Sequence, residues 1–408
     1  MDPRVGLRRD PVPDLDDVGE DAALADRIRA EIRATGPMPF ARFMDLALYD
    51  PDGGYYRSAD ARPGRAGDFL TAPELHPIFG ATLMTGLHEI WVHLGRPSPF
   101  VIREHGAGTG ALAVAILDAI DDPAFRAALR YQPVEVDARR VETFRARLAD
   151  AGHADAVDDA TTEPVEGIVL ANEVLDALPV HRLRRRGDRL LELAVDVDGS
   201  GAFVEREIEP PTPEPAARLD AEGITVADGQ SVEVCLALDA WIAGAAAGLR
   251  RGVLLLIDYG HPAGDLYDPV RRRDGTLLAY LQHRAHTDPL AHVGRQDLTA
   301  HVDLTAVARA AEAVGLTKLG STTQAEALMG LGIQERLRAI QADPATTPEA
   351  YLLVRAALLR LLDPAAMGRF RVLAFGRDWP TAGPDDAPLG LFAFRLPARP
   401  RGGGQTPD

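Results

Sequence analysis

The spacing of apolar positions changes twice along the chain. Residues 21–35 carry apolar or small side chains three and four apart, which predicts a helix that stops at Gly36-Pro37. A second helix follows "GPMPF" and ends before "YDPDGGYY", a run of turn formers. "GRAGDFLTAPELHPIFGATL" reads as a glycine-rich loop feeding a helix over 76–94, and Pro97 and Pro99 close an N-terminal helical lobe, 21–97.

From Phe100 onward, short apolar runs alternate with helical spacing. Strands are predicted at 100–104, 134–136, 168–171 and 253–258, the second shortened by Pro133, with helices at 109–120 and 138–151. Short buried strands alternating with helices imply an α/β fold with a mostly parallel sheet covered on both faces. This sheet domain is read as 98–180 plus 235–378. Two stretches interrupt it. Residues 181–234 begin as strands joined by "RRGDR" and "DGSG" turns, an inserted antiparallel meander, and 261–302, rich in Asp, Pro, His and Gly, reads as a long loop on the substrate side. Helices at 304–314, 324–340 and 351–362 lead to a closing strand in "FRVLAFG".

Totals narrow the function classes. A formal net charge of -17 and a pI near 5.1 argue against a phosphate-binding groove, so nucleic acid is not an expected partner. No apolar stretch approaches the roughly 18 residues that cross a bilayer, so no membrane insertion is expected. Cys235 is the sole cysteine, which excludes an internal disulfide and any cysteine-based zinc site. Residues 1–20 lack an apolar signal core and 396–408 are rich in Gly, Pro and Arg; both are read as disordered ends of a cytoplasmic protein. The oligomeric state is open.

The first candidate chemistry lies in "VIREHGAGTGALAVAIL", residues 101–117. Gly106, Gly108 and Gly110 allow a tight turn and close approach of a ligand to backbone N–H donors at a helix start. Gly106-x-Gly108-x-x-Ala111 also satisfies the dinucleotide fingerprint, so an NAD-dependent oxidoreductase and a plain strand-to-helix turn stay open for the fragment alone. Two acids shift the balance. Glu104 can meet a cationic amino group but repels a pyrophosphate. Glu135, unless it is simply a solvated strand-end acid, can accept both hydrogen bonds of a ribose diol. Together they fit S-adenosylmethionine better than NAD. The cofactor-binding set is Glu104, Gly106, Ala107, Gly108, Gly110, Glu135, Val136 and Asn172.

"VLANEVLDALPVH", 169–181, places Asn172, Glu173 and Asp176 just beyond a buried strand, at the edge where open α/β sheets bind ligands. Glu173 and Asp176, three apart, would share a face of a following helical turn. Ordinary helix capping by Asn172 is the alternative. His283, His286, His292 and His301 match no common zinc spacing, so no metal is assigned. Asp258 and Tyr259 end a strand at the ligand edge and either line the pocket or form a turn.

Six blocks, "GDFLTAPELHPIFG", "EHGAGTGAL", "VEVDARR", "ANEVLDALPVH", "LLIDYGHP" and "GRQDLTAHVDLTAV", resemble in order those of the MidA-like methyltransferases, over residues 21–376. The resemblance implies a class I S-adenosylmethionine-dependent methyltransferase, Rossmann-like, with an N-terminal helical lobe and inserted segments. It assigns the glycine turn to the methionine part of the cofactor, Glu135 to the ribose and the GDF-x-TAPE loop to a cover. The family's best-known activity is dimethylation of an arginine on a respiratory complex I subunit, so a protein substrate is implied. Leu278 departs from the basic residue common there, and "TTQAEALMGLGI" matches loosely.

A sulfonium methyl donor is already activated, so the protein mainly positions the nucleophile. An arginine acceptor suits carboxylates that grip its guanidinium. Asn172, Glu173 and Asp176 are the first candidates, with Asp68 and Glu74 behind them. A small-molecule methyltransferase and a non-enzymatic assembly chaperone of the same fold are the rival readings.

Overall fold

Strands and helices follow one another in a computed structural model that describes residues 18–58, 71–380 and 388–395. Helices α1 (Ala22–Thr35), α2 (Phe40–Tyr49), α3 (Ala72–Leu75) and α4 (Ile78–His93) precede the first strand. Strand β1 (Phe100–His105) leads through the glycine turn to α5 (Ala111–Asp118), and β2 (Leu129–Val134) and β3 (Val165–Asn172) follow. Next come β4 (His181–Arg186), β5 (Arg189–Val197), β6 (Phe203–Ile208) and β7 (Ser231–Val234), a separate antiparallel sheet in the order β6-β5-β4-β7. Strand β8 (Leu249–Asp258) returns to the central sheet, and β9 (Gly260–His261) follows it directly.

The stretch read as a long loop is not one. It carries β10 (Leu278–Leu281), β11 (Arg284–His286) and β12 (Asp297–Thr299), which form a three-stranded sheet, and β13 (Val302–Asp303), which pairs with β9. Its strands are too short for their alternation to stand out among the turn formers. Strands β14 (Thr317–Thr323) and β15 (Arg371–Arg377) complete the central sheet. The helix predicted over 324–340 is two, Gln324–Gly330 and Ile333–Ala342, divided at Gly332.

The central sheet runs β14-β15-β8-β3-β1-β2. Strands β2, β1, β3 and β8 are parallel, while β15 is antiparallel to both β8 and β14. The expected parallel sheet therefore holds apart from one reversed strand. Side chains alternate between the two faces as a pleat requires. Phe100, Ile102, Ile168, Leu170, Leu255 and Ile257 pack with α4 and α5 on one side. Val101, Val169, Leu254 and Leu256 pack with helices Ala237–Ala247 and Leu304–Ala313 on the other. Helices α1 and α2 instead bury Leu24, Ile28, Phe40 and Phe43 against Val195, Ala279 and Leu298, joining both small sheets.

Strand β2 ends where the sequence suggested that it begins. Pro133 lies inside it, opposite Glu104 of β1, which an edge strand tolerates because its open side needs no ladder N–H. Glu135 and Val136 consequently sit on the loop beyond the strand. Since the chain leaves β1 outward to β2 and then crosses to β3, the sheet order reverses at β1, and a crevice opens at the strands' carboxyl ends.

One buried cation braces this arrangement. Arg103 of β1 is 4% exposed, and burial lowers its pKa. Its Nε and Nη2 donate to Gln132 Oε1 at 3.0 and 2.8 Å, and Nη2 also to the Glu163 carbonyl at 3.0 Å. Replacing Gln132 with leucine leaves the guanidinium short of acceptors, so Gln132→Leu is expected to destabilise the fold by roughly 2–4 kcal/mol. Urea denaturation of the two proteins measures the difference.

Candidate active site

The turn after β1 is built by left-handed backbone. Gly106, Gly108 and Gly110 have φ of 68°, 55° and 82°. A Cβ on Gly106 would lie 2.8 Å from Val174 Cγ2, so the turn is pressed against the segment that leaves β3. A Cβ on Gly110 would lie 2.9 Å from Leu148 Cδ1 and 3.0 Å from Phe144 Cδ2. Gly110 thus packs the turn on the neighbouring helix, Ala138–Asp150, and does not line the cavity beside the turn.

That cavity, of about 250 Å³, has walls of two chemistries. Glu104, Gly106, Ala107, Gly108, Glu135 and Val136 form one. Glu104 is 3% exposed and accepts a hydrogen bond from Tyr131 Oη at 2.6 Å. Burial pushes its carboxyl up to about 8, against the pull of the Tyr131 bond, and Glu135 pushes the same way. No ion pair to Glu104 forms among the described residues. Glu135 accepts from the Gly108 N–H, which ties the second loop to the turn; burial also raises its pKa. Val136 is 42% exposed at the cavity wall, an apolar surface left open.

Tyr49, Tyr55, Tyr56, Asn172 and Glu173 form the other wall. Strand β3 is followed by Glu173 at φ 54° and a single 3-10 turn, Leu175–Ala177. The Glu173 N–H donates to the Ile257 carbonyl at 2.8 Å, and Asp258 Oδ2 accepts from the Val174 and Leu175 N–H groups at 3.1 and 2.8 Å. These bonds hold the segment out of a helix, so Glu173 and Asp176 do not share a helical face as expected. Glu173 lines the cavity; Asp176 turns away and accepts from Tyr259 Oη. Tyr259 and Asp258 accordingly brace this segment and do not line the cavity.

Glu173 Oε1 accepts from Asn172 Nδ2 at 3.1 Å and from the Ala72 N–H at 3.3 Å. Burial first, and Asp176 second, push its carboxyl up to about 8. Burial raises Asp176 to about 6. Asn172 Oδ1 and Asp176 Oδ1 are buried without partners. This wall is rich in acceptors and poor in cations.

Glu74, on α3, lines the cavity and accepts from Thr109 Oγ1 of the glycine turn; Arg147 approaches it at 3.7 Å. It anchors α3 to the turn. Asp68 lies outside the described residues, as do most of the two predicted disordered ends. The histidines separate: His286 and His292 meet at 6.0 Å between ring centroids, while His301 packs on His261 and Tyr259. Among the described residues no cluster of His, Cys, Asp or Glu could hold a metal, and no helix is long and apolar enough to cross a membrane.

The three tyrosines, Arg140 and Trp241 line the cavity without having been singled out from sequence. The aromatic pair in "YDPDGGYY" was a signal, since a turn needs no aromatic rings.

Comparison with known proteins agrees with this geometry. Residues 83–322 match a family model described as "Putative S-adenosyl-L-methionine-dependent methyltransferase". The chain is 32% identical over 383 residues to the Drosophila melanogaster homolog of mitochondrial protein arginine methyltransferase NDUFAF7, covering 86% of this chain and 84% of that one. The human NDUFAF7 is 28% identical over 376 residues, covering 84% and 81%. A COG1565 superfamily protein from Burkholderia thailandensis, crystallised with S-adenosyl-homocysteine, superimposes with a TM-score of 0.81 at 36% identity, covering 94% and 97% of the two chains. The expectation of a cytoplasmic protein is overturned, because these curated relatives are named as mitochondrial.

Proposed function

The chain belongs to the MidA-like family of S-adenosylmethionine-dependent methyltransferases, and from that premise we propose that it methylates arginine side chains of a protein acceptor. The residues present suit the cofactor. Glu104 is a buried carboxyl paired with no described cation, suited to the amino group of an amino acid. Gly108 has open space where a Cβ would stand, with Gly106 O the nearest atom at 3.9 Å, so the backbone can be approached closely. Glu135 lines the cavity where it can accept from a ribose hydroxyl, and Val136 offers apolar surface to a base. S-adenosylmethionine supplies an electrophilic methyl group on a sulfonium.

The observation that carries the acceptor assignment is Glu173, a cavity-lining carboxyl beside the glycine turn, flanked by Asn172 and further acids and paired with no described cation. A guanidinium stays protonated at any working pH and presents five N–H donors in a plane. Binding it converts Glu173 to the carboxylate, which holds one nitrogen in line and accepts the proton that nitrogen later sheds at Oε2. Asn172 orients Glu173 through its 3.1 Å bond. Asp176 supports from behind through Tyr259, and Glu74 holds α3 against the glycine turn.

The test is to incubate the protein with isotope-labelled S-adenosylmethionine and a lysate from cells lacking it, then hydrolyse the protein fraction. Label recovered as methylarginine is expected, falling roughly 100-fold with Glu173→Gln. Label confined to small molecules, or to lysine, overturns the assignment.

A further inference from the structure

We propose that Tyr49 and Tyr56 form an aromatic passage through which a planar cationic side chain reaches Glu173, with Asp297 as the positioning residue that fixes Tyr56. This rests on the arginine reading and adds how the acceptor is selected.

Both rings line the same cavity as Asn172 and Glu173. They stack with centroids 5.5 Å apart and planes at 24°, and Tyr55 packs edge-on against Tyr56 at 5.2 Å. Their hydroxyls are engaged elsewhere. Tyr49 Oη donates to the Ala177 carbonyl at 3.0 Å, and Tyr56 Oη donates to Asp297 Oδ1 at 2.7 Å. With both hydroxyls anchored, what these residues present to the cavity is ring. The anchors come from distant parts of the chain: Ala177 follows β3, and Asp297, 3% exposed, begins β12 of the inserted sheet. Arg140 Nε donates to the Tyr56 carbonyl at 3.1 Å and fixes the backbone as well. A pair of rings held so firmly exceeds what closing a surface turn requires.

The electrostatics select the guest. Aromatic faces attract cations, and Arg more often than Lys, because its flat guanidinium stacks. Behind the rings stand Asp176, Asp258 and Asp297; burial first, and Asp176 second, raise the carboxyls of Glu173 and Asp258. Asn172 Oδ1 and Asp176 Oδ1 add two buried acceptors without donors. A neutral planar side chain would satisfy the stacking but give these buried carboxyls no cation to ionise against. An ammonium would supply the charge with fewer directed donors. The guanidinium does both.

The experiment uses the full chain saturated with S-adenosyl-homocysteine and three probes, the N-acetyl methylamides of arginine, lysine and citrulline, titrated by NMR. The wild type is expected to bind the arginine probe more tightly than the lysine and citrulline probes. Tyr49→Leu and Tyr56→Leu are expected to weaken the arginine probe about tenfold, with S-adenosyl-homocysteine affinity measured in parallel to show a folded site. Citrulline binding as tightly as arginine, or both leucine variants holding the arginine probe like wild type, overturns the passage. For Asp297, the readout is a double-mutant cycle. Asp297→Asn is expected to weaken the probe several-fold alone and to add nothing in a Tyr56→Phe background, while Asp297→Glu restores part of the loss. An equal cost in both backgrounds overturns the positioning role. Absence of methylarginine product in the lysate assay would instead remove the arginine reading itself, so the two failures are distinguishable.

Discussion

Gly106→Val is expected to abolish measurable S-adenosylmethionine binding, a loss of at least 100-fold, while the sheet still folds. Two effects combine. The residue sits at φ 68°, where a β-branched side chain is strained, and its new Cβ would meet Val174 Cγ2 at 2.8 Å. Relieving that contact moves the turn away from the segment after β3, separating Ala107 and Gly108 from Asn172 and Glu173. Gly108→Val separates the two effects, because its φ of 55° imposes the same backbone strain without the Val174 contact. Apart from its chain neighbours no described atom lies closer than 3.9 Å to a Cβ there, so the valine enters open space beside the cavity wall and obstructs the ligand directly. Calorimetric titration of both variants, with circular dichroism to confirm folding, measures the effect. Wild-type affinity in a folded Gly106→Val protein would falsify the placement of the cofactor against this turn.

That turn was legible because its requirements are local. An apolar strand, glycines where φ must be positive and an apolar helix appear contiguously in the sequence, and Glu104 precedes them by a fixed spacing. The family resemblance added the order of the blocks, and the S-adenosylmethionine-dependent fold follows from both. Features set by tertiary context were not legible. Thr317–Thr323 is a mostly polar edge strand, and nothing in "TKLGSTT" announces pairing with β15. The reversal of β15 depends on where the chain returns, which apolar alternation does not encode. Asp176 was grouped with Glu173 by helical spacing, yet the backbone bonds to Asp258 prevent the helix. Tyr49 and Tyr56 acquire their setting only when Ala177 and Asp297 arrive from 128 and 241 residues away.

Glu104→Gln is expected to make the protein more stable and at least 100-fold weaker for S-adenosylmethionine at once. The buried carboxyl of Glu104 is raised from its usual value near 4.5 to about 8. The folded state therefore holds a proton that the unfolded state releases, so this group's contribution is fully favourable below about pH 4.5 and is lost as pH rises toward 8. The loss amounts to something on the order of 5 kcal/mol. Glutamine cannot ionise, keeps a hydrogen-bond partner for Tyr131, and escapes the loss; its melting temperature should exceed that of wild type at pH 8 and converge with it near pH 5. Ligand binding runs the other way. A cationic amino group converts Glu104 to the carboxylate and recovers the attraction that burial makes strong, whereas a neutral amide offers only a dipole. Wild-type binding at pH 7 should therefore release close to one proton, seen as an enthalpy that depends on the buffer's heat of ionisation, and the variant should release none. A carboxyl retained only to brace Tyr131 would show no such opposition. If Glu104→Gln binds S-adenosylmethionine as wild type does, with the same proton release, the amino group is held elsewhere.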